Sequence, residues 1–298
     1  MKKALIVINS FSTNENVIYK ARRLKDELEK RNISCDIRKA CEIPVVSTGD
    51  KVSFPFKEEE YSFCIYLDKD KYLSKALSSC MHLYNSYQSL LLSDDKMSSI
   101  LELKDTSFSS PLTISSPLCY MDEVDEEKYS SFLLYVEKEL NYPLILKLCY
   151  GSLGKQVFLI KNRKELFALY REFKKVPHLF EEYICKPIAD DYRLIVIGDE
   201  VVASMEKINE NDFRSNISLG GKGFDVTDTI DDKYKVAAVN IAKKLHLDYA
   251  GIDLTCDKDS NPLFLEANGN AFFTEIEKVT KVNIASKLID YILKKEGI

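Results

Sequence analysis

No stretch of this 298-residue sequence approaches the run of about 18 apolar residues that a membrane helix needs, so a helical span is not expected. Charge of one sign is also scarce. The 42 Lys and Arg against 47 Asp and Glu leave a net −5 with the signs interspersed, which gives no support for nucleic acid as a main partner. None of the eight cysteines forms a Cys-x-x-Cys pair, and no histidine cluster accompanies them, so a zinc site is not expected. Most sit among apolar neighbours, as Cys64 does between Phe63 and Ile65, and read as buried free thiols in a reducing cytosol. No Gly-x-Gly-x-x-Gly follows the first apolar run, which removes a classical dinucleotide site. The apolar part of the N-terminus is too short for a signal peptide and lacks a cleavage pattern. It reads as a first buried strand, and a cytoplasmic location is expected. No internal repeat or low-complexity tract stands out.

What is present is ordinary for a soluble globular protein, 45% hydrophobic and 30% charged. The length suffices for two or three subdomains with cores of their own. Residues 3–8, 33–37 and 63–67 read as strands. Ser12 to Glu15 has capping-box spacing, and Val17, Ala21, Leu24 and Leu28 follow at helical spacing. This predicts a small α/β layer domain up to about residue 93. Residues 86–103 read as one helix, 104–117 as a Ser-, Thr- and Pro-rich connector, and 125–140 as a helix. The stretch 142–160 reads as a strand, a Gly-rich turn and a second strand, and a helix over 162–173 follows. The acids Glu181 and Glu182 interrupt an apolar strand over 179–184. A hairpin turning at Gly198-Asp199 spans 192–207, and the polar loop 212–223 follows it, read as surface. Helices over 232–245 and 283–295 flank the stretch on which the rest depends.

That stretch, 248–270, reads as a hairpin: two apolar runs around a polar tip. If Lys258–Asn261 form the loop, Asp257 pairs with Pro262 and Asp253 stands opposite Glu266. Asn268 then shares the face of Glu266. Unpaired acids that close repel each other, and oxygen-only ligands suit Mg²⁺ or Mn²⁺ held together with substrate phosphates. Scattered acids on a solvated face are the alternative, against which stand the apolar flanks Ile252, Leu254, Leu265 and Ala267. A second signal is Lys147, in an otherwise apolar strand. A buried lysine is expensive unless it is paired or held against an anion. The loop Gly151-Ser-Leu-Gly-Lys155 can turn N–H groups toward a phosphate, but a strand follows where a P-loop needs a helix, so it reads as a hairpin flap.

Together the motifs Asp95-Lys96, Leu146-Lys147, Gly151-Ser-Leu-Gly154, Glu181-Glu-Tyr-Ile184, Asp191-Tyr-Arg193, Phe213-Arg-Ser-Asn216 with Gly220-Gly221, Gly251-Ile-Asp253 and Leu265-Glu-Ala-Asn268 resemble the ATP-grasp superfamily, most closely its RimK-type carboxylate–amine ligases. The resemblance is strong from about residue 85 onward. It implies an α/β fold: an N-terminal pre-ATP-grasp domain (1–93), then a central (94–178) and a C-terminal (179–298) α+β subdomain that clasp ATP. It implies that Lys96, Lys147 and the flap residues Gly151, Ser152, Gly154 and Lys155 contact phosphates. Glu181, Glu182, Tyr183 and Ile184 would form the adenine hinge, with Asp191 nearby. Asp253, Glu266 and Asn268 would hold Mg²⁺, and Arg193, Arg214 and Asn216 would serve the chemistry. The implied reaction joins a carboxylate to an amine, an amino acid or peptide, through an acyl phosphate, releasing ADP and phosphate. An ATP-grasp kinase acting on a hydroxyl and an inactive ATP-binding module are the alternatives. The sequence departs from the family where paired basic residues often precede the Arg-Ser-Asn motif: Glu206-Lys207 stands there, one positive charge short. Apolar surface on the first domain or the terminal helix would support a homodimer.

Overall fold

A computed structural model describes residues 3–104, 106, 108–184 and 191–298. The chain opens with β1 (Lys3–Ile8), α1 (Glu15–Lys30) and β2 (Ser34–Lys39), a short ribbon of β3 (Val46–Ser47) and β4 (Val52–Ser53), then β5 (Phe63–Leu67), α2 (Lys71–Leu77), β6 (His82–Tyr84) and α3 (Tyr87–Asp94). Strands β1, β2, β5 and β6 form a parallel sheet in the order β2-β1-β5-β6. Its middle strands are buried on both faces, which is why they read as continuous apolar runs. Helix α1 lays Ala21, Leu24 and Leu28 on the sheet. Its cap is Asn14, whose side chain accepts from Asn16 N, and not the expected Ser12. The Ser12 hydroxyl instead accepts from Asn14 N.

The expected single helix over 86–103 is two. Asp95 takes an extended backbone after α3 and caps α4 (Lys96–Glu102) by accepting from Met97 and Ser98. Strand β7 (Thr113–Ser115) lies within the expected connector. Then follow α5 (Glu127–Leu140), β8 (Leu144–Leu148), β9 (Val157–Ile160), α6 (Arg163–Phe173) and β10 (His178–Glu182). The antiparallel order β7-β10-β8-β9 makes a second sheet, so β10 belongs to it from its first residue, His178. This sheet and α5 and α6 enclose a core of their own around Leu133, Val136, Leu146, Leu166 and Phe180.

The rest is β11 (Asp191–Ile197), β12 (Glu200–Ile208), β13 (Lys222–Asp225), α7 (Asp232–Lys244), β14 (Tyr249–Cys256), β15 (Pro262–Asn268), α8 (Thr274–Thr280) and α9 (Ile284–Lys295). A third, antiparallel sheet runs β13-β12-β11-β14-β15. Its edge strand β13 takes part of the expected surface loop. One face packs on α7. The other shares a single core with the first sheet, joining Ile6, Leu24 and Phe63 to Ile195, Met205, Leu288 and Ile292. Ion pairs reinforce that joint: Arg31 reaches Asp290 at 2.7 Å and Glu27 at 2.8 Å, and Asn283 donates to Glu27 at 3.1 Å. Burial pushes the Glu27 carboxyl up, but Lys30 and Arg31 overcome it and hold the group at about 2.

The expected register at the tip of the β14–β15 hairpin is corrected. Cys256, not Asp257, pairs with Pro262, and Leu254 pairs with Phe264. A bulge between Asp253 and Leu254 then takes up Leu265 as an extra residue, and Asp253 stands opposite Glu266 after all. Of the seven described cysteines, Cys35, Cys64, Cys149 and Cys256 are buried, Cys80 and Cys119 intermediate, and Cys41 exposed. Cys185 lies outside the described residues.

Candidate active site

The second and third sheets face each other across a cleft with a cavity volume of about 150 Å³. Strand β8 contributes Lys147 and β10 contributes Glu181 from neighbouring register positions, and the two form a buried ion pair. The buried strand lysine thus has its anion within the protein. Burial is the larger influence on Glu181 and pushes its carboxyl up, against the pull of Lys147. Glu182 turns toward β7, accepting from Leu112 N at 2.8 Å. The chain beyond it brings Tyr183 and Ile184 to the cleft. Tyr183 meets Phe213 of the facing loop edge-on, centroids 6.3 Å apart.

Lys96, held at the start of α4 by the Asp95 cap, donates from Nζ to Gly151 O at 3.0 Å and lies 3.7 Å from Glu266. It therefore ties the flap of the second sheet to the acidic hairpin of the third. The flap is folded down. Gly154 has φ +70°, and a Cβ there would lie 2.5 Å from Asn216 Oδ1. Arg214 Nη1 donates to Gly154 O at 2.9 Å, while its Nε and Nη2 hold Asp212 at 3.0 and 2.8 Å. The hydrogen bond to Asp212 keeps the Arg214 guanidinium firmly charged. Ser215 donates to Asp191, which pins the loop to the start of β11.

On the floor, Asp253 is gripped from two sides. Arg193, its register partner on β11, donates to both carboxylate oxygens, and Lys207 Nζ donates to Oδ1 at 3.0 Å. Burial would raise this acid, but Arg193 and Lys207 win and hold it at about 2. Burial likewise opposes the charge of Arg193, and Asp253 overcomes it and pushes the guanidinium up. Glu266 faces Asp253 across the hairpin with 26% of its side chain exposed.

Lys96, Lys147, Gly151, Ser152, Gly154, Glu181, Glu182, Tyr183, Ile184, Asp191, Arg214, Asn216, Asp253 and Glu266 all line this one cleft. Lys155, Arg193 and Asn268 fall outside its lining; Arg193 lies behind Asp253, and Asn268 stands opposite Gly251. The lining also includes Lys207 and Ser215, quoted from the sequence without a role in the site, and Gln156, Thr255, Ile145 and Val157, which the motifs did not include. Their signal was strand alternation: Ile145 is two residues from Lys147, and Thr255 two from Asp253.

The donor set fits a hard cation. Asp253 and Glu266 offer only oxygen, and each carboxylate oxygen accepts more than one bond. Among the described residues no group of three or more His, Cys, Asp or Glu could hold a metal by itself. A pair of carboxylates beside Lys96, Lys147 and Arg214 instead suits an ion shared with bound phosphates, as Mg²⁺ is commonly held.

The model of the RimK-like ATP-grasp domain matches residues 93–292. Over nearly its full length the chain is similar to a Mycoplasma pneumoniae protein named "Uncharacterized protein MG012 homolog", 29% identical across 97% of this chain and 99% of that one. It is 35% identical to a "Probable alpha-L-glutamate ligase" of Legionella pneumophila, a match that spans about half of each, 51%. The D-alanine–D-alanine ligase of Bacillus anthracis, solved with ATP, shares the fold at a TM-score of 0.72 and 14% identity, over 99% of this chain and 97% of that one. No described helix is long and apolar enough to cross a membrane. With the match covering about two thirds of the chain and both sheets that face the cleft, the chain belongs to the RimK-like ATP-grasp family.

Proposed function

We propose that this protein is an ATP-dependent ligase that joins a carboxylate to an amine, an amino acid or peptide, through an acyl phosphate. The observation that carries the reading is the meeting of Lys96, Lys147, Lys207 and Arg214 with the opposed acids Asp253 and Glu266 in one cleft. A cation-rich wall facing oxygen ligands is what positioning a triphosphate demands.

In this reading Tyr183 and Ile184 seat the adenine with their backbone. Lys147 and Lys96 neutralise phosphate oxygens, exchanging Glu181 and Gly151 O for them. Asp253 and Glu266 hold Mg²⁺ or Mn²⁺, with Asn268 as a further oxygen. When bound, the ion supplies Lewis-acid neutralisation of the phosphate oxygens. Arg193 positions Asp253 from behind. Arg214 reaches phosphate from the loop opposite the flap, and its fixed fork stabilises charge that grows as the phosphoryl group moves and as the amine attacks. Asn216 lies against Gly154 of the flap, close to the transferred group. The middle and last sheets, with the first sheet as a preceding domain, form the clasp.

Glutamate is the natural reference compound, given the Legionella relative's name. Yet Glu206-Lys207 supplies a single cation where the family often has two, and Lys207 is engaged with Asp253. A screen of ADP release over amino acids and peptides, glutamate included, with mass spectrometry of the products, tests the reading. Hydroxylamine should trap a hydroxamate, and EDTA should stop turnover until Mg²⁺ or Mn²⁺ is restored. ADP release with a phosphorylated hydroxyl product and no hydroxamate would establish the kinase alternative instead.

A further inference from the structure

Among the described residues six buried side-chain polar atoms lack a hydrogen-bond partner, and two of them belong to residues that line the cleft, Gln156 Oε1 and Thr255 Oγ1. Gln156 goes with the flap: its Oε1 lies 2.7 Å from where a Cβ on Gly151 would stand. Thr255 belongs to the floor. It is set in β14, between β11 and β15, and is only 2% exposed. Its neighbours Leu254 and Cys256 point into the core against α7. Alternation therefore puts Thr255 on the face of Asp253, toward the cleft. A buried hydroxyl with no partner costs stability, and valine would fill the same shape without that cost. Such a group calls for an explanation, and a bound ligand that completes it is one.

Strand register says which part of a nucleotide reaches this hydroxyl. Arg193 pairs with Asp253 and Tyr192 with Leu254, so one step further Asp191 and Thr255 stand side by side. Asp191 lines the cleft and accepts from the Ser215 hydroxyl. It is also the end of β11 at which the chain arrives from Tyr183 and Ile184. Thr255 is two residues, roughly 7 Å of strand, from Asp253. With phosphates at Asp253 and Glu266 and the base at Tyr183 and Ile184, the part of the ligand between them is the sugar. A carboxylate beside a hydroxyl suits a vicinal diol, because the carboxylate accepts and the hydroxyl both donates and accepts.

We infer that Thr255, beside Asp191, hydrogen-bonds a ribose hydroxyl of the nucleotide and makes the cleft selective for ribonucleotides over deoxyribonucleotides. The inference rests on the nucleotide site of the ligase reading and not on its amide chemistry, so it is tested by binding alone.

The experiment is calorimetric titration of the whole chain in Mg²⁺ with ATP, 2′-deoxyATP, 3′-deoxyATP and inorganic tripolyphosphate. It compares the wild type with Thr255→Val and Thr255→Ser. The wild type should bind at least one deoxynucleotide about 3-fold or more weaker than ATP. Thr255→Val should weaken ATP by about 3- to 10-fold, the range for one neutral hydrogen bond, and shrink the preference over that deoxynucleotide by the same factor. Tripolyphosphate, which has no sugar, should bind both alike. Thr255→Ser should keep the preference. Without nucleotide, Thr255→Val should raise the urea midpoint by about 0.3 M or more, because the unpartnered hydroxyl is gone. A lowered midpoint with unchanged ATP affinity would make the hydroxyl structural and overturn the inference. Equal weakening of ATP and both deoxynucleotides, any weakening of tripolyphosphate, or a wild type indifferent to both deoxynucleotides would overturn it too. Absence of ATP binding removes it together with the nucleotide site. ADP release without hydroxamate sinks the ligase reading alone and leaves this assignment standing.

Discussion

Asp253→Asn changes one atom and takes away the counter-charge of two cations. In the native protein Arg193 occupies both carboxylate oxygens, and Lys207 joins at 3.0 Å with 9% of either side chain exposed. An amide offers one acceptor oxygen and presents its NH₂ to a guanidinium. Removing one partner from a buried pair costs about 3–5 kcal/mol. The depressed carboxyl points to a somewhat smaller figure. The group sits at about 2 against an ordinary 3.8, and at 1.36 kcal/mol per unit that is about 2–3 kcal/mol. The folded value is depressed, so this contribution is fully present above the unfolded value of 3.8 and is lost as pH falls through about 2. Glu266→Gln is the control. Its nearest cation, Lys96, is 3.7 Å away and its side chain is 26% exposed, so solvent reduces its worth to about 0–1 kcal/mol. Urea unfolding at pH 7, followed by far-UV circular dichroism without nucleotide, separates them. With a slope near 3 kcal/mol/M, Asp253→Asn should lower the midpoint by about 1 M and Glu266→Gln by less than about 0.3 M. Equal midpoints would refute the reasoning. Asp253→Asn with Lys207→Met should recover part of the loss, because one stranded cation is gone. For activity, Glu266→Gln is therefore the cleaner test of metal binding.

Gly154→Ala should open the flap, because its φ of +70° and the 2.5 Å approach to Asn216 penalise a side chain; hydrogen exchange over 151–156 should rise and the KM for ATP increase several-fold, and unchanged exchange would count against a closed flap. Arg214→Lys keeps a charge but loses the fork, so kcat should fall by roughly 10²–10³ with ATP affinity little changed; loss of ATP binding as the main effect would sink its assignment to the chemistry. Lys20 is buried against Tyr249 and Phe273 and donates to Ala271 O at 2.9 Å, and burial pushes it down to about 7. The folded state thus disfavours its charge in full below pH 7, and this penalty fades as pH rises from about 7 to 10.5. Lys20→Met should raise stability at pH 7 by about 1–4 kcal/mol, the range for replacing a buried charge, and by less at pH 9.5; destabilisation at pH 7 would show that the ring faces and carbonyl outweigh the burial.

The sequence made the cleft legible because its parts break local rules. Lys147 and Glu181 interrupt apolar strands, and two acids face each other on one hairpin. Such conflicts concentrate where function is. The pairing of Asp253 with Glu266 came out right although the turn was read one residue off, since a bulge at Leu265 compensates. No pattern of residue types announces that extra residue. Strands β6, β7 and β13 were not legible because three- and four-residue strands carry too few alternations to show a period, and their pairing is set by distant partners. The split between α3 and α4 was hidden by an apolar pattern that runs through Asp95. The mutual neutralisation of Lys147 with Glu181, and of Asp253 with Arg193 and Lys207, is a product of sheet register across 34 to 60 residues of sequence.

The core shared by the first and third sheets decides which part of the molecule can move. Leu24, Phe63, Ile195 and Leu288 are interlocked in one apolar mass, and separating them would expose it to water. The second sheet keeps its own core, and among its contacts with the rest at the cleft are hydrogen bonds from Lys96 Nζ to Gly151 O, from Lys96 N to Cys149 O and from Arg214 to Gly154, and an edge-on ring contact. Those are bonds that water or a phosphate can replace. The molecule is in this sense an anvil with one jaw. The first and third sheets form one block, and in the proposed ligase nucleotide would enter and product leave by a swing of the second sheet that opens neither core.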